Sequence, residues 1–141
     1  MIIIDNANNE EKIKNIIDYT KDFNNGRLIT IIGCDSNIEK KERTKIGKTV
    51  TNLTDYTIFT SDNPRYEEPE SIIEDMIKEI KTNNYETIIN RKEAIKKGIN
   101  ILKENDILLI LGKGKQEYQI IGNDEFSHND YKEVRKNTKY L

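Results

Sequence analysis

The residues best suited to chemistry lie together in Thr60-Ser61-Asp62-Asn63-Pro64-Arg65-Tyr66. Asp62 supplies a carboxylate, Asn63 a carboxamide and Arg65 a guanidinium. Pro64 stiffens the chain between them and biases Asn63 toward an extended backbone. A guanidinium is a two-pronged donor to a carboxylate, and a carboxylate accepts from an ammonium. The trio therefore suits a zwitterion, with an amino acid as the natural ligand. In an arbitrary loop the same residues satisfy one another or cap the next helix, so their position has to decide.

That position is informative. The stretch follows the short apolar run Tyr56 to Phe59 and precedes the amphipathic run Ser71 to Ile80. It reads as a loop at the C-terminal end of a strand, the edge where open α/β sheets bind ligands. Gly112-Lys113-Gly114 follows another buried run and shares this edge. Its glycines allow backbone N–H groups close to a ligand, while Lys113 and Lys115 add positive charge. Lys40 and Arg43, in the stretch after Leu28 to Ile32, belong to the same edge. Gly47-Lys48-Thr49 has the ending of a phosphate-binding loop, but Glu42 stands where the pattern needs glycine and Gly47 falls inside a helical spacing. Cys34 has no histidine near it in sequence and reads as a buried or half-buried structural thiol. His128, between Ser127 and Asn129, reads as a surface residue capping a helix start. No nucleophilic triad, paired-carboxylate or metal-ligand arrangement is readable.

The elements that position these loops follow from apolar periodicity. Ile13, Ile16, Ile17 and Thr20 mark a helix from Asn9 to about Phe23, stopped at Asn24-Asn25-Gly26. Leu28 to Ile32 suits a strand buried on both faces. Ile46, Val50 and Leu53 mark a second helix and Tyr56 to Thr60 a second strand. Pro69 can open a third helix, because its missing N–H costs nothing in a first turn. Ile72, Ile73, Met76, Ile77 and Ile80 line one face of that helix. Thr87 to Ile89 is read as a strand, Arg91 to Lys103 as a helix and Ile107 to Leu111 as a buried strand. Tyr118 to Ile121 is a further strand turned at Gly122-Asn123, and Asn129 to about Lys136 a last helix. Residues 2–4 are an edge strand or a connector. Regular strand–helix alternation predicts an α/β fold: a Rossmann-like, doubly wound, mostly parallel sheet flanked by helices.

Composition sets the outer bounds. A chain of 141 residues is expected to form one domain, spanning 1–141, with a core that needs no staples. With 23 Lys+Arg against 25 Asp+Glu there is no basic excess to favour nucleic acid or an acidic membrane. One cysteine excludes an internal disulfide and one histidine a histidine-rich metal site. The apolar run at residues 1–4 is too short for a signal peptide or a membrane span. A cytoplasmic setting is expected.

Several of these loops, in this order, resemble the C-terminal domain of the Mur ligases, nearest the MurE type that adds meso-diaminopimelate in peptidoglycan synthesis. The resemblance runs from about Ile4 to Arg135. Asp62-Asn63-Pro64-Arg65 is similar to the family's Asp-Asn-Pro-Arg loop. Gly33-Cys34, Lys40, Arg43 and Gly47 match its Gly-Cys-Gly-Gly-Asp-Arg-Asp-Lys-Gly-Lys-Arg-Pro-x-x-Gly segment without a gap. Gly112-Lys113-Gly114 and Tyr118-Gln119-Ile120-Ile121-Gly122 match its Gly-Lys-Gly-His-Glu-Asp-Tyr-Gln-Ile-Ile-Gly. The resemblance implies that Asp62, Asn63 and Arg65 orient the side-chain end of diaminopimelate, helped by Arg43, Gly112 and the position of Gln116. It implies that Asn8, Asn37 and Lys40 face a nucleotide, and that residues 1–8 lead in from a central domain. ATP and magnesium are implied only with that central domain, which would carry the P-loop; this chain alone is expected to bind no cofactor and to be inactive. The missing ligase domains, in cis or in trans, are the implied partners. The chain departs from the family at Asn6 and Asn8 to Glu11, at Asn37-Ile38-Glu39 and at Lys115-Gln116, where an amide replaces a carboxylate expected to hold an ammonium. The alternative is a stand-alone, non-catalytic amino-acid-binding or scaffold module.

Overall fold

The computed structural model describes residues 1–138. Its elements run β1 (Ile2–Asp5), α1 (Glu10–Lys21), β2 (Leu28–Ile32), α2 (Lys40–Leu53), β3 (Tyr56–Phe59), α3 (Pro69–Ile77), β4 (Tyr85–Thr87), α4 (Arg91–Asn100), β5 (Ile107–Leu111), β6 (Tyr118–Ile121), β7 (Asp124–Ser127) and α5 (Asp130–Thr138). The five-stranded sheet has the order β1-β5-β2-β3-β4, with every pairing parallel. Strands β6 and β7 form a separate antiparallel hairpin. The parallel α/β sheet expected from the alternation is what the chain forms.

The alternation of each strand divides its side chains between two cores. Leu28 and Ile32 of β2, Phe59 of β3, and Leu109 and Leu111 of β5 face one layer. Ile13 and Ile17 of α1, Ile46 and Val50 of α2, and Ile72 and Met76 of α3 cover it. Ile29, Ile31, Ile58, Leu108 and Ile110 face the opposite layer, under Ala94, Ile95 and Ile99 of α4 and Val134 of α5. All five residues of β2 and of β5 are buried, as strands covered on both faces must be. Gly47 lets α2 touch α3 backbone to backbone: a Cβ there would lie 1.7 Å from the Met76 carbonyl oxygen. This contact explains a glycine in mid-helix without any phosphate.

Local expectations differ from the structure at the edges of elements. β1 is a true edge strand, paired with β5 from Ile2↔Leu108 to Asp5↔Leu111. β4 lies two residues earlier than the apolar pair Ile88-Ile89 suggests, because Tyr85 and Glu86 are the residues that pair with Thr57 and Ile58. α3 ends at Ile77 and α4 at Asn100. Strand β7 was not expected: its residues are all exposed, so no apolar alternation marks it. Among the described residues no helix is long and apolar enough to cross a membrane.

The strand order creates the site. The chain passes from β2 outward through β3 to β4, then returns to place β5 on the other side of β2. The crevice between the ends of β2 and β5 is therefore a topological switch point, where such sheets bind ligands. Because Ile32 pairs with both Phe59 and Leu111, the loops after β2, β3 and β5 leave the sheet at one level.

Candidate functional site at the C-terminal edge of the sheet

The loop after β3 is anchored before it reaches its polar residues. The Ser61 N–H donates to the Ile89 carbonyl (3.2 Å), and the Thr60 hydroxyl donates to the same oxygen (3.1 Å). Beyond Pro64 the hairpin takes over. The Arg65 N–H donates to the Ile120 carbonyl at 3.1 Å and the Gly122 N–H to the Arg65 carbonyl at 2.6 Å. Between these clamps Arg65 holds φ 54°, in the left-handed region that is costly for a residue with a Cβ. The hairpin thus keeps the Arg65 backbone in a shape it would not choose alone.

Lys113 ties this loop to the turn after β5. Its ammonium lies 2.9 Å from an Asp62 oxygen and donates to Asn63 Oδ1 (2.9 Å), the Tyr118 carbonyl (3.1 Å) and Gln116 Oε1 (3.4 Å). Gly112, at φ 110°, leaves room for the pair: a Cβ there would stand 3.0 Å from the other Asp62 oxygen. Lys113, Asp62 and Asn63 are all buried. Asp62, expected to accept a ligand ammonium, accepts one from the protein itself. Asn63 is similarly committed: its oxygen also accepts from the Ile120 N–H (2.9 Å) and its amide nitrogen donates to Asp35 (3.2 Å).

Arg43 also differs from expectation. Its Nε donates to the Ile38 carbonyl (2.9 Å), and its terminal nitrogens donate to Glu67 (2.8 and 2.9 Å), Asp75 (3.1 Å) and the Ser36 carbonyl (2.8 Å). These bonds use all five donors of a guanidinium. Arg43 is 2% exposed and joins the loops after β2 and β3; no donor is left for a ligand carboxylate. The hydrogen bonds from Arg43 outweigh burial and hold the Glu67 carboxyl below its ordinary range.

Of Arg43, Lys113 and Arg65, Arg65 is the one whose side chain remains accessible. Its side chain is 41% exposed, and it meets Asp35, 19% exposed, through Nε (3.2 Å) and a terminal nitrogen (3.3 Å). Burial pushes the Asp35 carboxyl up, but hydrogen bonds from Arg65, the Asn37 N–H and Asn63 prevail and leave it below its ordinary value. Asp35 is not among the site residues expected from the sequence; its one signal there is a carboxylate three residues beyond the end of a buried strand. Asn8, Asn37, Lys40 and Gln116 are exposed on the same edge. Among the described residues no group of three or more His, Cys, Asp or Glu side chains could hold a metal ion.

A second polar cluster lies beneath the edge. Arg91, at the first turn of α4, donates through Nε and a terminal nitrogen to the two Asp130 oxygens (2.9 and 2.8 Å). Its other contacts are the Ser61 carbonyl (3.3 Å) and the Leu111 carbonyl (3.1 Å), so it binds the ends of β3 and β5 together. His128 Nε2 lies 2.7 Å from Asp130, and His128 is buried. His128 is therefore not a surface cap; Asn129 caps α5, its side-chain oxygen accepting from the Lys132 N–H at 2.9 Å. Burial acts to raise the Asp130 carboxyl, but the bonds from Arg91 and His128 outweigh it and hold it far below the usual carboxylate range. Cys34 is buried, and burial together with the Asp62 charge pushes its thiol well up, away from reactivity.

Comparisons with known proteins agree with this architecture. Residues 1–114 match the family model described as Mur ligase, glutamate ligase domain. The UDP-N-acetylmuramoyl-L-alanyl-D-glutamate--2,6-diaminopimelate ligase 2 of Clostridium acetobutylicum is 47% identical over 135 residues, covering 94% of this chain and 28% of that protein. The corresponding ligase of Clostridium tetani is 40% identical, covering 96% of this chain and 28% of that protein. A solved structure of a UDP-N-acetylmuramoyl-L-alanyl-D-glutamate--2,6-diaminopimelate ligase superposes with a TM-score of 0.93 at 28% identity, over 98% of this chain and 29% of that one. The chain thus spans little more than a quarter of the length of these relatives. With a family match over most of its length and the same fold in a solved relative, the chain belongs to the Mur ligase glutamate ligase domain family.

Proposed function

We propose that this chain is the C-terminal, amino-acid-binding part of a MurE-type ligase of peptidoglycan synthesis, acting in the cytoplasm on meso-diaminopimelate. The observation that carries the reading is Arg65. It is a half-exposed guanidinium at the switch-point edge, held by the Asp-Asn-Pro-Arg loop and clamped in its backbone shape by the hairpin. A second carboxylate on the ligand gives Arg65 a partner. Lysine lacks that group and would leave the arginine without a ligand partner, which favours diaminopimelate.

The contribution to catalysis is positioning. The amine of the held amino acid attacks the carbonyl carbon of an acyl-phosphate; an amide bond forms, phosphate leaves and the amine gives up its proton. Orienting the nucleophile removes the entropic part of that barrier. Making the acyl-phosphate, with ATP and magnesium, falls to the rest of such a ligase, present in the same chain or supplied by another. In this reading Asn8, Asn37 and Lys40 are the contacts to the nucleotide, and their exposure on the same edge supports it.

Calorimetric titration with meso-diaminopimelate, L-lysine and the Arg65→Ala variant tests the amino-acid site. Expected are heat with diaminopimelate, weaker or absent heat with lysine, and its loss in the variant. Absence of binding at millimolar diaminopimelate would remove the stand-alone binding reading. One observation favours a non-catalytic module instead: the exposed position 116 carries an amide rather than a carboxylate. Ligase activity on mixing the chain with a P-loop and UDP-sugar-binding portion of a relative would exclude that alternative.

A further inference from the structure

The charges of the site do not yet balance a zwitterion. A ligand carboxylate has Arg65, but both carboxylate candidates for its ammonium are missing. Asp62 is buried against Lys113, and position 116 is a neutral glutamine. Glu67 and Asp75 are committed to Arg43. One acidic side chain remains at the loop with partial exposure and a bond to Arg65 itself, Asp35.

We propose that Asp35 is the ammonium acceptor, and that Asp35 and Arg65 together form a receptor for one zwitterionic end of the amino acid; this rests on the amino-acid-binding reading above. Two geometric facts and a balance of charge support it. First, the pair is loose. Its contacts are 3.2 and 3.3 Å, against 2.8 and 2.9 Å for both Arg91–Asp130 and Arg43–Glu67. Strong charge-assisted bonds fall near the shorter values. Second, Asp35 does not depend on Arg65 for its place. The Asn37 N–H donates to one of its oxygens at 3.1 Å and the Asn63 amide to the other at 3.2 Å. Asp35 therefore stays positioned when Arg65 turns to a ligand. Third, the exchange conserves charge. A ligand carboxylate takes the guanidinium and the ligand ammonium takes its place on Asp35, so one internal ion pair becomes two across the interface. The empty and the filled site are both neutral.

Asp35 supplies the acceptor from the loop after β2, at a position where the family segment that this stretch resembles has glycine. Asp35→Gly, which removes the side chain altogether, provides a second variant.

Titration of the 141-residue chain with meso-diaminopimelate and with pimelate, the same seven-carbon dicarboxylate without ammonium groups, tests the assignment. Asp35→Asn and Asp35→Gly are each expected to weaken diaminopimelate by about tenfold or more while leaving pimelate as tightly bound or tighter. Unchanged urea midpoints would show both variants folded. Equal weakening of the two ligands would overturn the proposal, because it reports lost shape rather than a lost partner for the ammonium. Unchanged or tighter diaminopimelate would overturn it too, making Asp35 a built-in competitor for Arg65. If Arg65→Ala abolishes binding and neither Asp35 variant weakens it, the amino-acid site stands and the acceptor role falls. No diaminopimelate binding by the unaltered chain would bring down both.

Discussion

Arg91–Asp130 and Arg65–Asp35 are the same chemical pair placed in opposite surroundings. Arg91 and Asp130 have fully buried side chains, with His128 beside them and carbonyls at two strand ends accepting two further bonds from Arg91. Arg65 and Asp35 are partly exposed and joined by longer contacts. A buried pair is poor evidence of net stabilisation, yet removing one partner is severe, because the other charge is stranded away from water. An exposed pair contributes little and is readily exchanged for another. The lower pair therefore acts as frame and the upper one as site. Arg43 lies between the extremes, a buried guanidinium whose partner Glu67 is 29% exposed.

The sharpest way to break this contrast is to strand the buried charge. Asp130→Asn is expected to lower stability by about 3–5 kcal/mol in urea unfolding, since Arg91 loses the carboxylate that pairs with it. Lys113→Met strands Asp62, for an expected loss of about 3 kcal/mol, moderated because a carboxyl can protonate. It should also weaken diaminopimelate, although Lys113 is buried beneath the ligand-facing groups. Arg43→Met is expected to cost about 1–2 kcal/mol, discounted for the water that reaches Glu67 and Asp75. Arg65→Ala should move the urea midpoint least of the four variants and reduce diaminopimelate binding most. A large stability loss in Arg65→Ala would erase the distinction between frame and site.

Acid titration sharpens the same comparison. Asp130 is depressed in the folded protein, so its contribution is fully present above the unfolded carboxyl value of about 4 and is lost as pH falls below it toward the folded value. Asp35, Glu67 and Asp106 shift in the same direction and add to this acid limb. The stability gap between the unaltered chain and Asp130→Asn is therefore expected to hold from pH 6 to about pH 4 and to narrow as the pH falls further, as measured by urea unfolding at each pH.

The frame was more legible in the sequence than the pairing of its charges. Continuous apolar runs at Leu28 to Ile32 and Ile107 to Leu111 announced strands covered on both faces, and the spacing of Ile72, Ile73 and Met76 announced a helix opened by Pro69. β4 was misplaced because its pairing residues are less apolar than Ile88-Ile89, and β7 was missed because nothing in it alternates. His128 looked like a surface residue because a single histidine between polar neighbours carries no periodicity; Asp130 and the Glu117 carbonyl draw it inside.

The alternation of elements, the parallel α/β class and the loops at the ligand-binding edge are written in local stretches of the chain. Each of these depends on apolar pattern or turn chemistry within a few residues. Which charges meet depends on how distant segments come together. Asp35 and Arg65 are 30 residues apart and Arg91 and Asp130 are 39 apart, and their encounters follow from strand order. Burial then assigned the roles. Water screens the Arg65–Asp35 pair and leaves it open to exchange, while its exclusion from Arg91–Asp130 makes that pair part of the frame.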